Sequence, residues 1–364
     1  MANSESIVPD PWIGFDGHEE AVVAHDDSTG LRAVIAIHST VLGPSLGGVR
    51  MSTYSDAPEG ARAAAYADAL RLSRAMTYKN ALAGLPHGGG KAVIVHDPND
   101  KPDELLHAFG RLVSSLEGRY VTAGDVGMSV HNMDTIGETC RWTTGRSPEN
   151  GGVGDSGILT AIGVHAGMRA GAEAALGTSD LDGVRVGVIG AGKVGGRLIR
   201  HLLADGAQVA ALDPSDQARQ ALEAENPGEV AWTDSIEGLL AFKPEVLSPN
   251  ALGGAITEAL VPTLVEGGVR LVSGGANNQL ATPEVGDLLD RAGILYTPDF
   301  CVNCGGVIQV AEELVGADLD RARAKVEEVF GTTRSVLRRA REEGLTPVQA
   351  AEREAEARID ASRG

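Results

Sequence analysis

The stretch Val184-Arg185-Val186-Gly187-Val188-Ile189-Gly190-Ala191-Gly192-Lys193-Val194-Gly195 decides how the second half of the chain folds. Its first six residues form an apolar run of strand length. From about Val194 to Leu203 the apolar positions take up helical spacing. Between the two lies G-x-G-x-x-G, a weak signal by itself in a chain with 48 glycines. Where it closes a strand and opens a helix, each glycine has a task. Gly190 permits the tight turn, Gly192 lets backbone approach a diphosphate, and Gly195 lets the helix pack closely on the strand. The diphosphate then lies at a helix N-terminus, where free N–H groups and the positive dipole end favour an anion, with Ala191, Lys193 and Val194 completing the loop. Asp213 follows the next apolar run, Gln208 to Leu212, 18 residues beyond Gly195. A carboxylate there accepts hydrogen bonds from ribose hydroxyls and repels a 2′-phosphate, which points to NAD rather than NADP as cofactor.

Working outward, Val246-Leu247 and Val269-Arg270-Leu271-Val272 continue the strand–helix alternation, which implies a parallel sheet with helices on both faces. Upstream, a long helix over Ile158 to Ala175 reads as the connection to another domain, and the turn-forming Ser147 to Gly152 marks a junction nearby. In the first half a strand-like region from about residue 20 to 50 contains Leu31 to His38. A helix is expected over 59–77, then a Gly/Pro/His break, a strand Ala92 to Val95, a helix over 103–116 and a strand Tyr120 to Ala123. The expected fold is α/β with two domains and an interdomain cleft. Residues 1–147, with C-terminal helices over about 330–364 packing back, form an N-terminal α/β domain. Residues 148–329 form a Rossmann doubly wound dinucleotide-binding domain.

Composition narrows the function. Hydrophobic residues make up 43% and aromatics only 4%, so the core is built from Ala, Val, Leu and Ile. A net charge of −19 disfavours nucleic acid and anionic membrane surfaces as partners. No apolar run is long enough to span a bilayer, and Met1 to Trp12 lacks the regions of a signal peptide. Three cysteines, Cys140, Cys301 and Cys304, make no disulfide framework. A cytoplasmic protein is expected. The nine histidines show no metal-ligand spacing, and Cys301-Val302-Asn303-Cys304 lacks a second ligand pair, so no metal is expected.

Three polar residues in the first half sit in apolar or glycine-rich company. They are Lys79 after Ala75-Met76-Thr77-Tyr78, Lys91 after Gly88-Gly89-Gly90, and Asp125 in Ala123-Gly124-Asp125-Val126. A desolvated lysine near a second cation loses its proton more easily, as a general base must. A second lysine can hold a substrate carboxylate as a point charge, and a carboxylate can relay protons.

Seven motifs in this order resemble the glutamate/leucine/phenylalanine/valine dehydrogenase superfamily over nearly the whole chain. They are Leu46-Gly47-Gly48-Val49-Arg50, Met76-Thr77-Tyr78-Lys79, Leu85-Pro86-His87-Gly88-Gly89-Gly90-Lys91, Gly124-Asp125-Val126, Gly190 to Gly195, Gly275-Ala276-Asn277-Asn278, and Pro298-Asp299-Phe300 followed by Asn303 and Gly305-Gly306. Cys140 to Gly152 and Gly305 to Val310 resemble its short, branched-chain members, the valine and leucine dehydrogenases. The resemblance implies that Lys91 and Asp125 are catalytic and that Lys79 binds the substrate α-carboxylate. It implies that Gly48, Leu46, Asn277 and Val302 surround the substrate. Arg50, Ser156, Thr160, Ala251, Leu252, Ala276 and Asn277 are implied to lie around the cofactor.

The implied reaction is reversible NAD-dependent oxidative deamination of an L-amino acid to a 2-oxo acid and ammonium. Leu46 points to a pocket shortened for valine, leucine or isoleucine. Gly124, Cys301 and Cys304 depart from the family pattern near the expected pocket and keep phenylalanine or another bulky amino acid open. A catalytically silent dinucleotide-binding regulatory protein is the reading from another class; the retained Lys79, Lys91, Asp125 and Asn277 argue against it. Apolar edges on the first domain point to a homo-oligomer, a dimer or higher.

Overall fold

In a computed structural model, residues 15, 17–57 and 59–363 are described; Met1 to Trp12 lies outside them. The chain forms two compact units. One takes the residues up to Asn80 and Pro86–Gly152, the other Ala81–Leu85 and Val153 onward.

The first unit holds β1 (Glu20–Asp26), β2 (Leu31–Ser39), β3 (Ser45–Ser52), most of α1 (Ala61–Leu82), β4 (Gly88–Val95), α2 (Asp103–Ser114), β5 (Tyr120–Gly124) and α3 (Val130–Gly137). The sheet order is β1-β2-β4-β3-β5. β1, β2 and β4 pair antiparallel, whereas β4, β3 and β5 run parallel. The two-residue period of a strand sends β2 side chains into two cores. Leu31, Ala33, Ile35 and Ile37 join Leu105, Phe109 and Ile136 of α2 and α3. Val34 and Ala36 join Ala65, Ala69 and Leu70 of α1.

The expected break before Ala92 is shorter than read from the sequence, because the three glycines are already strand. A Cβ on Gly88 would stand 1.8 Å from the Ser39 carbonyl oxygen, and on Gly89 2.1 Å from the Thr77 backbone nitrogen. On Gly90 it would stand 2.6 Å from the Tyr120 ring. The run is a contact surface rather than a flexible loop: it lets α1 lie directly on the strand that carries Lys91. Gly89→Ala is therefore expected to force α1 off the sheet and cost about 1–3 kcal/mol. Denaturant titration will read this as a lower midpoint with an unchanged slope.

The second unit begins with α4 (Gly157–Leu176) and continues through β6 (Arg185–Ile189), α5 (Gly195–Ala204), β7 (Gln208–Leu212), α6 (Asp216–Glu225), β8 (Val230–Thr233), α7 (Ile236–Ala241) and β9 (Val246–Pro249). Then come α8 (Val261–Gly267), β10 (Leu271–Val272), α9 (Glu284–Arg291), β11 (Leu295–Tyr296), α10 (Asp299–Val302), α11 (Gly305–Glu313), α12 (Leu319–Glu327), α13 (Val329–Glu343) and α14 (Pro347–Ala361). Its six strands are all parallel, in the order β11-β10-β9-β6-β7-β8. This is the doubly wound arrangement, whose strand order reverses between β6 and β9. Leu239, Leu264 and Leu289 of α7, α8 and α9 close one face. On the other, Gly171 of α4 packs against Leu271 and Thr297.

The C-terminal helices belong to this second unit, not to the first as expected. The charge count of the tail hides a stripe: Val329, Thr333, Val336, Leu337 and Ala340 recur at helical spacing and are buried, and α13 packs on α4. Arg358 of α14 adds hydrogen bonds to the carbonyls of Ala81 and Leu82 at 3.1 and 2.7 Å. The boundary itself falls between Gly152 and Val153, a few residues beyond the expected 147/148.

Candidate active site

Lys91 and Asp125 come from different strands and meet. Lys91 is 5% exposed, and its Nζ donates to Asp125 Oδ2 at 2.6 Å. Asp125 follows β5, which pairs with β3 so that Gly48 faces Ala123. A Cβ on Gly48 would stand 2.9 Å from Asp125 Cβ; the glycine leaves room for the carboxylate to reach across β3 to Lys91. Arg50, two residues along the same strand face, donates Nε to the same Oδ2 at 3.2 Å.

Burial raises the Asp125 carboxyl, but the Lys91 ammonium and the Arg50 guanidinium outweigh it and bring the group to about 2. Burial also pushes Lys91 below the ordinary lysine value; the Asp125 charge opposes this and the Arg50 charge adds to it. The pair is thus a firmly ionised carboxylate beside a lysine whose proton is labile.

Lys79 is half-buried near the end of α1. Its neighbour Asn80, absent from the sequence-based set, is fully buried and donates Nδ2 to the Leu46 carbonyl at 3.1 Å and the Gly88 carbonyl at 2.6 Å. It ties the starts of β3 and β4 to the helix. Its only sequence signal was its place directly after the motif lysine. Leu46 is wholly buried.

In the second unit each glycine of the nucleotide loop can be tested against its expected task. Gly190 has φ +92°, and a Cβ there would meet Ala251 Cβ at 2.8 Å. Gly195 sits where a Cβ would be 1.9 Å from the Gly190 carbonyl oxygen. Above Gly192 there is nothing within 4 Å, so the loop presents an open backbone face at the start of α5. Val194, the residue preceding that helix, caps it with no side-chain hydrogen bond. Lys193 is exposed. Asp213 is buried beside the loop, accepting from the Ala191 N–H at 2.6 Å and the Ser215 N–H at 2.8 Å. A cavity of about 450 Å³ opens there, lined by Gly190, Pro214, Arg219, Asp234 and Ala251 among others. The residues present therefore fit a dinucleotide: an anion seat, a carboxylate and a recess on the same loop.

Asn250, also missed in the sequence, locks two loops together, since its Oδ1 accepts the Gly275 N–H at 2.8 Å. That places Ala276, 5% exposed, and Asn277 beyond the strand ends. Asn303 donates Nδ2 to Asn277 Oδ1 at 2.8 Å. Thr160 Oγ1 donates to the Ser156 carbonyl at 2.8 Å, and both residues adjoin Gly306, where a Cβ would be 3.0 Å from Thr160 Oγ1. Leu252 stands 82% exposed. Val302 directly precedes Asn303. It is fully buried, with Cγ1 2.3 Å from where a Cβ on Gly167 of α4 would lie.

Cys301 and Cys304 are buried thiols outside any disulfide. Burial pushes Cys301 up to about 12, and Cys304 Sγ donates to the Cys301 carbonyl at 3.2 Å. Among the described residues no helix is long and apolar enough to cross a membrane.

Comparison with known proteins bears on the family and the fold. Residues 18–142 match the Glu/Leu/Phe/Val dehydrogenase dimerisation domain, and residues 212–362 match the Glutamate/Leucine/Phenylalanine/Valine dehydrogenase domain. The chain is 52% identical to valine dehydrogenase of Streptomyces virginiae, over 95% of each chain. It is 42% identical to leucine dehydrogenase of Bacillus subtilis, over 95% of this chain and 92% of that one. The crystal structure of L-tryptophan dehydrogenase from Nostoc punctiforme superposes with a TM-score of 0.82 at 35% identity, over 96% of this chain and 97% of that one. With both domains matched and likeness of this extent, the chain belongs to the Glu/Leu/Phe/Val dehydrogenase family.

Proposed function

We propose that the protein catalyses the NAD-dependent oxidative deamination of branched-chain L-amino acids. One amino acid, NAD⁺ and water give the 2-oxo acid, ammonium, NADH and a proton. The observation that carries the proposal is the buried Lys91–Asp125 pair at 2.6 Å, in a chain 52% identical to a valine dehydrogenase.

When bound at the Gly190–Gly195 loop, NAD supplies the hydride acceptor. The protein's own groups handle charge and protons. Lys79 holds the substrate carboxylate, which favours amino acids over plain amines. Lys91 in its neutral form takes a proton from the water that adds to the imine carbon. Asp125 hands protons on as the carbinolamine collapses to the 2-oxo acid. Asp213 accepts from the adenosine ribose, and the Gly192 backbone faces the diphosphate. Ser156, Thr160, Ala251, Leu252, Ala276 and Asn277 serve the nicotinamide end, with Arg50 beside Asp125. Leu46 and Gly48 of the first unit, and Asn277 and Val302 of the second, are the residues assigned to the substrate.

The first unit matches a dimerisation domain and is the assembly domain of a homo-oligomer. The enzyme is cytoplasmic, which suits three reduced, buried thiols.

The test is NADH formation from a panel of L-amino acids, with NADP in parallel. Valine, leucine and isoleucine are expected to react best, with only soft discrimination among them, since one methylene is worth about 1–3 kcal/mol. A clear preference for phenylalanine or tryptophan would replace the branched-chain reading with the bulky-substrate one. No turnover with any amino acid would leave a silent nucleotide-binding protein. The sign of the pH dependence also follows. Activity needs neutral Lys91, so kcat/KM rises with pH, and burial of Lys91 places that rise below the ordinary lysine range.

A further inference from the structure

Asp125 is held by more than Lys91. Arg50 reaches it at 3.2 Å through Nε, and turns Nη1 to Asp68 Oδ2 at 2.8 Å. Asp68 lies on α1 and also accepts from the Tyr54 hydroxyl at 2.7 Å and from Arg71 Nη2 at 2.6 Å. Tyr54, just beyond β3, has φ +51°, a left-handed conformation that bulky L-residues rarely adopt. Strain of this kind persists only where surrounding contacts enforce it, and here it accompanies a hydrogen bond onto Asp68. Neither Tyr54 nor Asp68 belongs to a sequence motif noted above.

We propose that Asp68, anchored by Tyr54, is a positioning residue for proton transfer, acting through Arg50 to set how that single positive charge is shared between α1 and the Lys91–Asp125 pair. The chain Tyr54–Asp68–Arg50–Asp125–Lys91 is continuous in hydrogen bonds. The charged and titratable groups around it are Lys91 on β4, Arg50 on β3, Asp125 after β5, Tyr120 on β5, and Asp68 and Arg71 on α1. Around Lys91, burial dominates; Arg50 drives the proton off, while Asp125 and Asp68 retain it. Burial and the bond to Asp68 push the Tyr54 phenol above its ordinary value, so it remains a donor throughout the working range. Asp68 therefore acts as a counterweight to Arg50.

The inference rests on Lys91 and Asp125 being the proton-transfer pair, and the experiment keeps the two apart. Lysine labelled with ¹³C at Cε is incorporated, the Lys91 resonance is assigned with Lys91→Met, and its titration is followed by NMR without substrate or cofactor. In parallel, the pH profile of kcat/KM is recorded. Asp68→Asn preserves shape and removes the charge. It is expected to move both the Lys91 titration and the rising limb down by roughly 0.5–1 pH unit, and Asp68→Glu is expected to restore them. Arg50→Gln removes the transmitted charge, must move the titration upward, and decides the matter if Asp68→Asn does not fold. A Lys91 titration unchanged in Asp68→Asn, or a uniform loss of kcat with an unmoved limb, overturns the inference. If the wild-type protein forms no NADH from any amino acid, the deamination reading fails, while the NMR titration still decides the role of Asp68.

Discussion

Lys91→Met is expected to lower kcat by about 10²–10⁴-fold, the range for removing a general base, while leaving NADH binding within about twofold of wild type. Methionine keeps the aliphatic stem that fills the space beside Asp125 but cannot take a proton. The fold survives, because Arg50 at 3.2 Å still neutralises Asp125. The loss of stability therefore stays below the about 3–5 kcal/mol of an orphaned buried charge. The measurement is steady-state deamination across pH, with cofactor binding followed by fluorescence. Two features would distinguish a base from a mere neighbour: the rising limb of the profile disappears, and KM for NAD holds steady. A variant that keeps more than a tenth of wild-type turnover with the limb in place would remove Lys91 from the chemistry.

Asp213→Asn is the second large effect, and it acts on cofactor choice. Losing a charge-assisted hydrogen bond of about 1.5–3 kcal/mol weakens NAD binding by about 10–100-fold. NADP binding improves, because the repulsion of its 2′-phosphate is gone. Asparagine can still accept the Ala191 N–H through its carbonyl oxygen, but its amide NH2 cannot accept from Ser215, so that second bond is lost. The gain for NADP stays partial. Arg219, the cation nearest in the recess, is already held by the Asp213 carbonyl at 2.7 Å and by Asp234 at 2.7 Å. Calorimetry with NAD and NADP reads both effects. An unchanged preference would take Asp213 out of ribose recognition.

The nucleotide loop was legible because its requirements are local. A strand, a tight turn and a helix follow one another along the chain; Gly195 packs on the Gly190 carbonyl and Gly190 takes a positive φ, while the approach of Ala251 to Gly190 comes from a distant segment. The Gly88–Gly90 run was legible as a motif and not as a structure. Its glycines are required by Ser39, Thr77 and Tyr120, residues far along the chain whose approach no local pattern announces. The C-terminal helices misled for a related reason: abundant surface charge masked the buried stripe of α13.

Order and spacing of motifs thus pointed to the family and the two α/β domains, and singled out the dinucleotide loop, Lys79, Lys91 and Asp125 as candidates. Those are properties of short segments, where residue type and spacing carry the physics. Tertiary structure alone decided that Lys91 is buried against Asp125, that Arg50 bridges Asp125 to Asp68, that Tyr54 takes a left-handed turn to reach them, and that the tail joins the second unit. Each of these depends on strands and helices distant in sequence being brought side by side. Electrostatic coupling between buried groups falls off with separation in space, which a linear pattern does not encode.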